Sequence, residues 1–259
     1  HSYCPPEAAF TAADSVGIYL QPEGPSWPNH GVKLGKGQPV DSFLAAETRR
    51  IVDTYGNHPR FVMMALGNEP AGDWVRYCNA WVVTMKSYDP RRIYCGASVG
   101  GGWAWDSGSE YHVKAGARGL DWDKAAPQST DNYDRQILFP RNYKGSEPNN
   151  SPVIAHEQGQ WCAFPDLNER NQYTGVYKAY NFDIFDKLLH DNGMGAMARK
   201  FLMSSGKLQT LAYKFETERN LRTADYSGFL YLGLNDYSGQ GTALVGPLNV
   251  FWREKGYVD

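Results

Sequence analysis

Short apolar runs that alternate with longer helical patterns constrain the fold of this chain most strongly. The strand-like runs are residues 16–20, 61–66, 92–97 and 152–155, with further candidates at 111–113 and 228–234. The helix-like stretches are residues 7–15, 41–55, 73–88, 177–192, 194–204 and 207–223. Runs of this length are typical of buried strands, and their alternation with helices predicts βα units around a parallel sheet.

The length and continuity of the chain predict one domain. Its 259 residues lie within the usual range for a (β/α)₈ barrel, and they contain no internal repeat, low-complexity tract or linker. Residues 99–152 are irregular and rich in Gly, Trp, Tyr and Asp, and a loop of that length is usually functional or contains short elements. We therefore expect a single domain over residues 1–259.

The composition excludes several classes of function. A formal charge of −2 leaves no basic stripe for nucleic acid, and no apolar run reaches the roughly 20 residues that span a bilayer. The four cysteines form no CxxC pair, so we expect buried free thiols and neither a metal nor a redox site. Aromatic residues make up 14% of the chain, with 8 Trp and 17 Tyr, several of them in predicted loops. Exposed aromatic rings often stack on sugars, which suggests a carbohydrate partner.

Three of the candidate strands run into polar turns that carry a carboxylate, at Glu23, Glu69 and Glu157. Ligands bind at the carboxyl ends of parallel strands, and partial burial there raises a carboxyl pKa toward the working pH. Glycosidic cleavage needs two such groups, one to protonate the leaving oxygen and one to attack or to activate water. Glu69 and Glu157 follow the clearest strands and form the predicted pair. Either could instead cap a helix or bond a neighbouring strand.

The segments around both glutamates resemble glycoside hydrolase family 2, a family of the large retaining clan of (β/α)₈ barrels. Residues 57–69, which end in Gly67-Asn68-Glu69, are similar to its acid/base strand. Residues 155–159 occupy the nucleophile position 88 residues further on, and residues 1–23 resemble the second and third strands. The resemblance implies that Glu69 is the acid/base and Glu157 the nucleophile. It also implies a carboxyl separation of about 5–5.5 Å and no cofactor.

The same resemblance implies an incomplete TIM barrel, with strands 3–8 present and strands 1 and 2 missing. The chain looks cut from a longer protein with preceding β-sandwich domains, of a bacterial, periplasmic or secreted type that degrades polysaccharides. Gln158 stands where the family commonly has an aromatic residue or Gly, and Asn235-Asp236-Tyr237 stands where the clan has a Trp. No Asn-x-Lys signature of the family's glucuronidases follows Glu157, so a uronic-acid substrate is less favoured, and we expect an exo-acting, β-galactosidase-like enzyme.

Further residues are candidates for substrate binding. As the clan pattern implies, Asn68 would bond the sugar 2-hydroxyl, although it could equally be a turn-forming Asn. The other candidates are His1, Tyr3, Trp27, Trp103, Trp105, His112, Gln158, Trp161 and Asp236. The tryptophans are expected to be sugar platforms or loop-packing residues, and Asp236 is the main rival for a catalytic carboxylate. Glu216 and Glu218 are expected to be solvated on a helix.

Two alternative functions compete with catalysis by this pair. A non-catalytic carbohydrate-binding relative would keep the aromatic loops without competent geometry. A metal-dependent barrel hydrolase would need clustered histidines, and the six histidines are scattered with no HxH pair, which argues against it.

Overall fold

The computed structural model describes residues 2–27, 33–100, 103–115, 151–223, 226–241 and 243–258, so the predicted role of His1 lies outside the described residues. The helices are α1 Glu7–Val16, α2 Pro39–Tyr55, α3 Trp74–Tyr88, α4 Tyr180–Asp191 and α5 Ala198–Arg222. The strands are β1 Lys33–Leu34, β2 Met63–Ala65, β3 Ala71–Gly72, β4 Ile93–Cys95, β5 Ser98–Val99, β6 His112–Ala115, β7 Val153–Gln158 and β8 Tyr226–Tyr231.

Parallel pairing dominates the sheets, as predicted. β1 pairs with β3, β2 with β4, β5 with β6 and β6 with β7, each in parallel, and β8 lies beside β7. Isolated parallel bridges join Leu20 to Phe61, Glu23 to Ala65 and Asn68 to Ser98. Successive segments of the chain are therefore sheet neighbours, which confirms an α/β class with parallel sheets. The six-stranded, incomplete barrel stays a prediction.

The predicted strand over residues 16–20 is wrong. Val16 is the last residue of α1, and Gly17 caps the helix with a φ of 82° and an N–H bond to Ala13. This left-handed conformation, which glycine adopts at little cost, ends the helix and turns the chain. Ile18 and Tyr19 are then 61% and 59% exposed, and only Leu20 makes a sheet bridge.

The described residues form two compact units. The first is built mainly from residues 2–115 and 151–156, the second mainly from residues 157–222 and 229–258. In the first unit, α1, α2 and α3 pack on the strands around a continuous apolar core. Its buried members include Phe10, Leu44, Phe61, Met64, Trp81 and Tyr94.

The second unit has smaller apolar clusters and a long helix. Phe182 of α4 packs with Leu244, and Leu202 of α5 packs with Tyr257. Most of the two helices predicted over residues 194–204 and 207–223 forms the single helix α5, Ala198–Arg222. Gly206 lies within it, where an added Cβ would stand only 2.3 Å from the Tyr257 ring.

Two further expectations concern the burial of the cysteines and helices that could span a membrane. All four cysteines are free, as predicted, but only Cys78 and Cys95 are buried, whereas Cys162 is exposed. Among the helices within the described ranges, none has both the length and the apolarity to cross a bilayer.

Candidate functional site

Glu69 lies four residues after the end of β2, in a backbone conformation rare for its residue type. Its φ is 42°, in the left-handed region that costs a non-glycine residue about 1–3 kcal/mol. Its N–H donates to the Ser98 carbonyl at 2.9 Å, and the N–H of Ser98 donates to Gly67 at 3.0 Å. Neighbouring backbone therefore holds the carboxylate-bearing turn in place.

The carboxyl group of Glu69 is oriented by its surroundings. The indole N–H of Trp27 donates to Oε2 at 3.0 Å, and Gly100 backs Oε1, which lies 3.4 Å from where a Cβ on that glycine would be. Trp27 is itself 57% exposed, so its ring remains open to a ligand. A half-buried carboxyl fixed at one oxygen and beside an exposed indole is suited to proton transfer next to a bound sugar.

Asn68 is buried with its side-chain amide unsatisfied. It is 1% exposed, and within the described residues neither Oδ1 nor Nδ2 has a hydrogen-bond partner. An unmade hydrogen bond of this kind costs about 1–3 kcal/mol, which a native fold tolerates best where a ligand supplies the partner. The turn-forming role would instead require the side chain to bond nearby backbone.

Glu23, in the segment that follows α1, is hydrogen-bonded to Ser98 of β5. It is 1% exposed and accepts hydrogen bonds from Gln21 at 3.1 Å and from the Ser98 hydroxyl. Because the Ser98 carbonyl also accepts the N–H of Glu69, Glu23 supports the backbone of Glu69 indirectly. Tyr3 is 60% exposed, which leaves it available to a ligand.

β6 contributes one predicted residue and one that the sequence interpretation missed. His112 is buried with its ring edge-on to Trp105 at 4.8 Å, which favours a packing role. Lys114 is 2% exposed, donates to the Trp103 carbonyl at 2.6 Å, and has a pKa lowered to about 8 by burial. The Trp103 indole donates to the carbonyl of Pro70, the residue after Glu69. These contacts favour the loop-packing role of Trp103 over the sugar platform. The sequence signal for Lys114 was a lysine placed between two strand residues.

Glu157, in the second unit, shares the backbone feature of Glu69. Its φ is 51°, its side chain is half-buried, and its Oε2 accepts a hydrogen bond from Gln160 at 3.0 Å. Gln158 is fully buried and accepts from Asn220 at 2.5 Å, which favours a structural role over the predicted substrate contact. The expectation that Glu216 is solvated is wrong, because it is 1% exposed and accepts from the Trp161 indole at 2.7 Å.

Asp236 is buried in an ion pair. It is 1% exposed, Lys255 Nζ lies 2.6 Å from its carboxyl, and the Gly246 N–H donates to it at 2.9 Å. This arrangement favours a structural role over both the predicted substrate contact and the rival catalytic one.

Glu169, which is 2% exposed, has its pKa raised to about 7, first by burial and then by the charge of Asp236.

Glu169→Gln should stabilise the protein at neutral and higher pH. Because the folded-state pKa exceeds the ordinary 4.5, folding takes up a proton, and stability falls as pH rises from 4.5 through about 7. The loss, about 3 kcal/mol, is complete above pH 7 and should be absent from the amide variant. Urea unfolding at about pH 4.5 and pH 8 measures it. Equal effects of the substitution at both pH values would contradict the assignment.

Comparisons with known proteins show a fold relationship. No family model and no curated protein matches the chain. The FMN-binding β-glucuronidase from Facaelibacterium prausnitzii L2-6 is 11% identical with a TM-score of 0.59, over 98% of this chain and 36% of that one. The Ruminococcus gnavus β-glucuronidase in complex with uronic deoxynojirimycin is 14% identical with a TM-score of 0.61, over 98% and 41%. An uncultured Clostridium sp. β-glucuronidase is 12% identical with a TM-score of 0.56, over 99% and 41%. The chain thus shares the fold of part of these structures and spans 36–41% of their length.

Proposed function

We propose that this chain is the catalytic portion of a retaining exo-β-glycosidase, with Glu69 as acid/base and Glu157 as nucleophile. The observation that carries the proposal is the backbone of the two glutamates. In the described ranges only Ser2, Glu69, Glu157 and Trp252 are non-glycine residues with positive φ. Such strain concentrates at functional sites, and here it falls on both carboxylates chosen from their place after strands. The fold shared with β-glucuronidases supports the same class of reaction.

The proposed reaction is a double displacement. Glu69 donates a proton to the glycosidic oxygen while a Glu157 oxygen attacks the anomeric carbon, so the bond to the leaving group breaks as a glycosyl ester forms. Glu69, now ionised, takes a proton from water, and the resulting hydroxyl attacks the anomeric carbon and releases Glu157. Two inversions give net retention, and no cofactor takes part.

Asn68 and Trp27 are the proposed sugar contacts beside Glu69. The buried amide of Asn68 would donate to or accept from a ring hydroxyl, an interaction that strengthens in the transition state. The exposed face of Trp27 offers a stacking surface next to the carboxyl group that its indole N–H holds.

The sugar at the cleaved end is either galactose-like or a uronic acid. The three fold relatives described above are β-glucuronidases, whereas the residues after Glu157 carry no Asn-x-Lys. The sequence has one such pattern, Asn142-Tyr143-Lys144, which lies outside the described residues. We retain the β-galactosidase-like assignment and include the uronic acid in the test.

A screen of aryl β-glycosides against the full-length protein tests the function. We expect hydrolysis of a β-galactoside or β-glucuronide, with the β-anomer as the first product by NMR. Release of the α-anomer would overturn the retaining mechanism. Saturable sugar binding without turnover would instead establish the non-catalytic carbohydrate-binding alternative.

A further inference from the structure

One face of α5 is polar where a buried helix face is usually apolar. Its members are Gln209, Tyr213, Glu216 and Asn220, spaced by four, three and four residues, which places them on one side of the helix. Gln209, Glu216 and Asn220 are 2%, 1% and 0% exposed. Burying polar groups is costly unless each finds a hydrogen-bond partner, so this face calls for an explanation.

Every member of this face bonds residues 158–161, which directly follow Glu157 and which we call the turn. Asn220 donates to the Gln158 side chain at 2.5 Å, and Gln209 donates to the Trp161 carbonyl at 2.6 Å. Glu216 accepts from the Gly159 N–H at 3.2 Å and from the Trp161 indole at 2.7 Å. The Tyr213 hydroxyl donates to the Gly159 carbonyl at 2.6 Å. The polar face of α5 therefore bonds the side chains of Gln158 and Trp161, the backbone N–H of Gly159 and the backbone carbonyls of Gly159 and Trp161.

The turn has a geometry that only outside support would maintain. Gly159 has a φ of 76°, and any Cβ there would come within 2.7 Å of the Tyr213 ring. Glu157, two residues earlier, has a φ of 51° without the freedom of glycine. Strained conformations persist where the surrounding contacts over-determine them, and the bonds from α5 are such contacts.

Glu216 makes the central contact. Its two carboxylate oxygens accept from two different donors, the Gly159 backbone and the Trp161 indole, one on each side of residue 160. Loss of this carboxylate would leave two donors of the turn unsatisfied at once.

We infer that the polar face of α5 positions Glu157, with Glu216 as its principal positioning residue. The inference rests on the proposed role of Glu157 as the nucleophile. Glu216 does not touch the sugar; it fixes the turn so that the Glu157 carboxylate stands ready to attack. Its effect should therefore fall on formation of the glycosyl–enzyme bond and little on sugar binding.

Glu216→Gln tests this inference in the full-length protein, with Glu218→Gln as the matched control. Glu218 lies on the same helix, two residues away, and is exposed, pairing with Lys214. The probe is a 2-deoxy-2-fluoro aryl β-glycoside of the sugar that the wild type hydrolyses, because it accumulates as a covalent ester on the nucleophile. We expect Glu216→Gln to slow labelling of Glu157 by about tenfold or more, with an unchanged dissociation constant for the probe, and Glu218→Gln to label at the wild-type rate.

Trp161→Phe provides a second variant if the first folds poorly. It removes the indole donor and keeps the bond from Gly159 to Glu216, so an intermediate loss is expected. Wild-type labelling rates in both folded variants would overturn the inference while leaving the proposed function intact. Labelling of a residue other than Glu157 in the wild type would overturn the proposed function itself.

Discussion

Glu157→Ala should abolish turnover of every β-glycoside that the full-length protein hydrolyses. A nucleophile is needed whatever group departs, so activated aryl glycosides should lose activity together with unactivated ones. We expect kcat to fall by about 10⁴-fold or more, in line with the removal of a nucleophile from other enzymes. Steady-state rates with a series of leaving groups of decreasing acidity provide the measurement.

The control for this loss is Glu218→Ala, which removes an exposed carboxylate from the same unit. Its rates should match the wild type within about twofold, since exposed ion pairs contribute little. Substantial turnover of activated substrates by Glu157→Ala would show that another group attacks the anomeric carbon.

Glu69→Ala should separate substrates by leaving group. An acid is dispensable to the extent that the leaving group departs unaided, so unactivated glycosides should lose about 10²–10⁴-fold in kcat/KM, and dinitrophenyl glycosides far less. Azide should restore part of the lost rate, because it attacks the glycosyl ester without needing a base. The product of that rescue is the β-glycosyl azide, which NMR identifies.

Azide therefore distinguishes the two glutamates, since it cannot replace a nucleophile and still give the β-product. The α-azide from Glu69→Ala would exchange the assigned roles. Near-normal activity of both variants on unactivated substrates would place the catalysis at another carboxylate.

The sequence alone was sufficient for the elements whose pattern is strong and local. The strands around β2 and β7 were predicted from short apolar runs, and α2 and α3 from helical periodicity, because burial of one apolar face is written into residue spacing. The two candidate carboxylates were chosen because each follows an apolar run, although β7 extends through Glu157 to Gln158 and β2 ends at Ala65. The same reasoning gave a wrong prediction for residues 16–20, which were expected to form a strand, because Gly17 caps helix α1 there.

Tertiary structure decided what depends on partners distant in the chain. Glutamate has no intrinsic preference for positive φ; the backbone of Glu69 is hydrogen-bonded to Ser98, and we infer that the contacts of α5 with the residues after Glu157 support the conformation of Glu157. Glu216 looked solvated because its helical pattern is polar, and only the contacts with Gly159 and Trp161 explain its burial. A single sequence records the propensity of each residue, whereas the free energy of a buried polar group is set by a partner that folding brings to it.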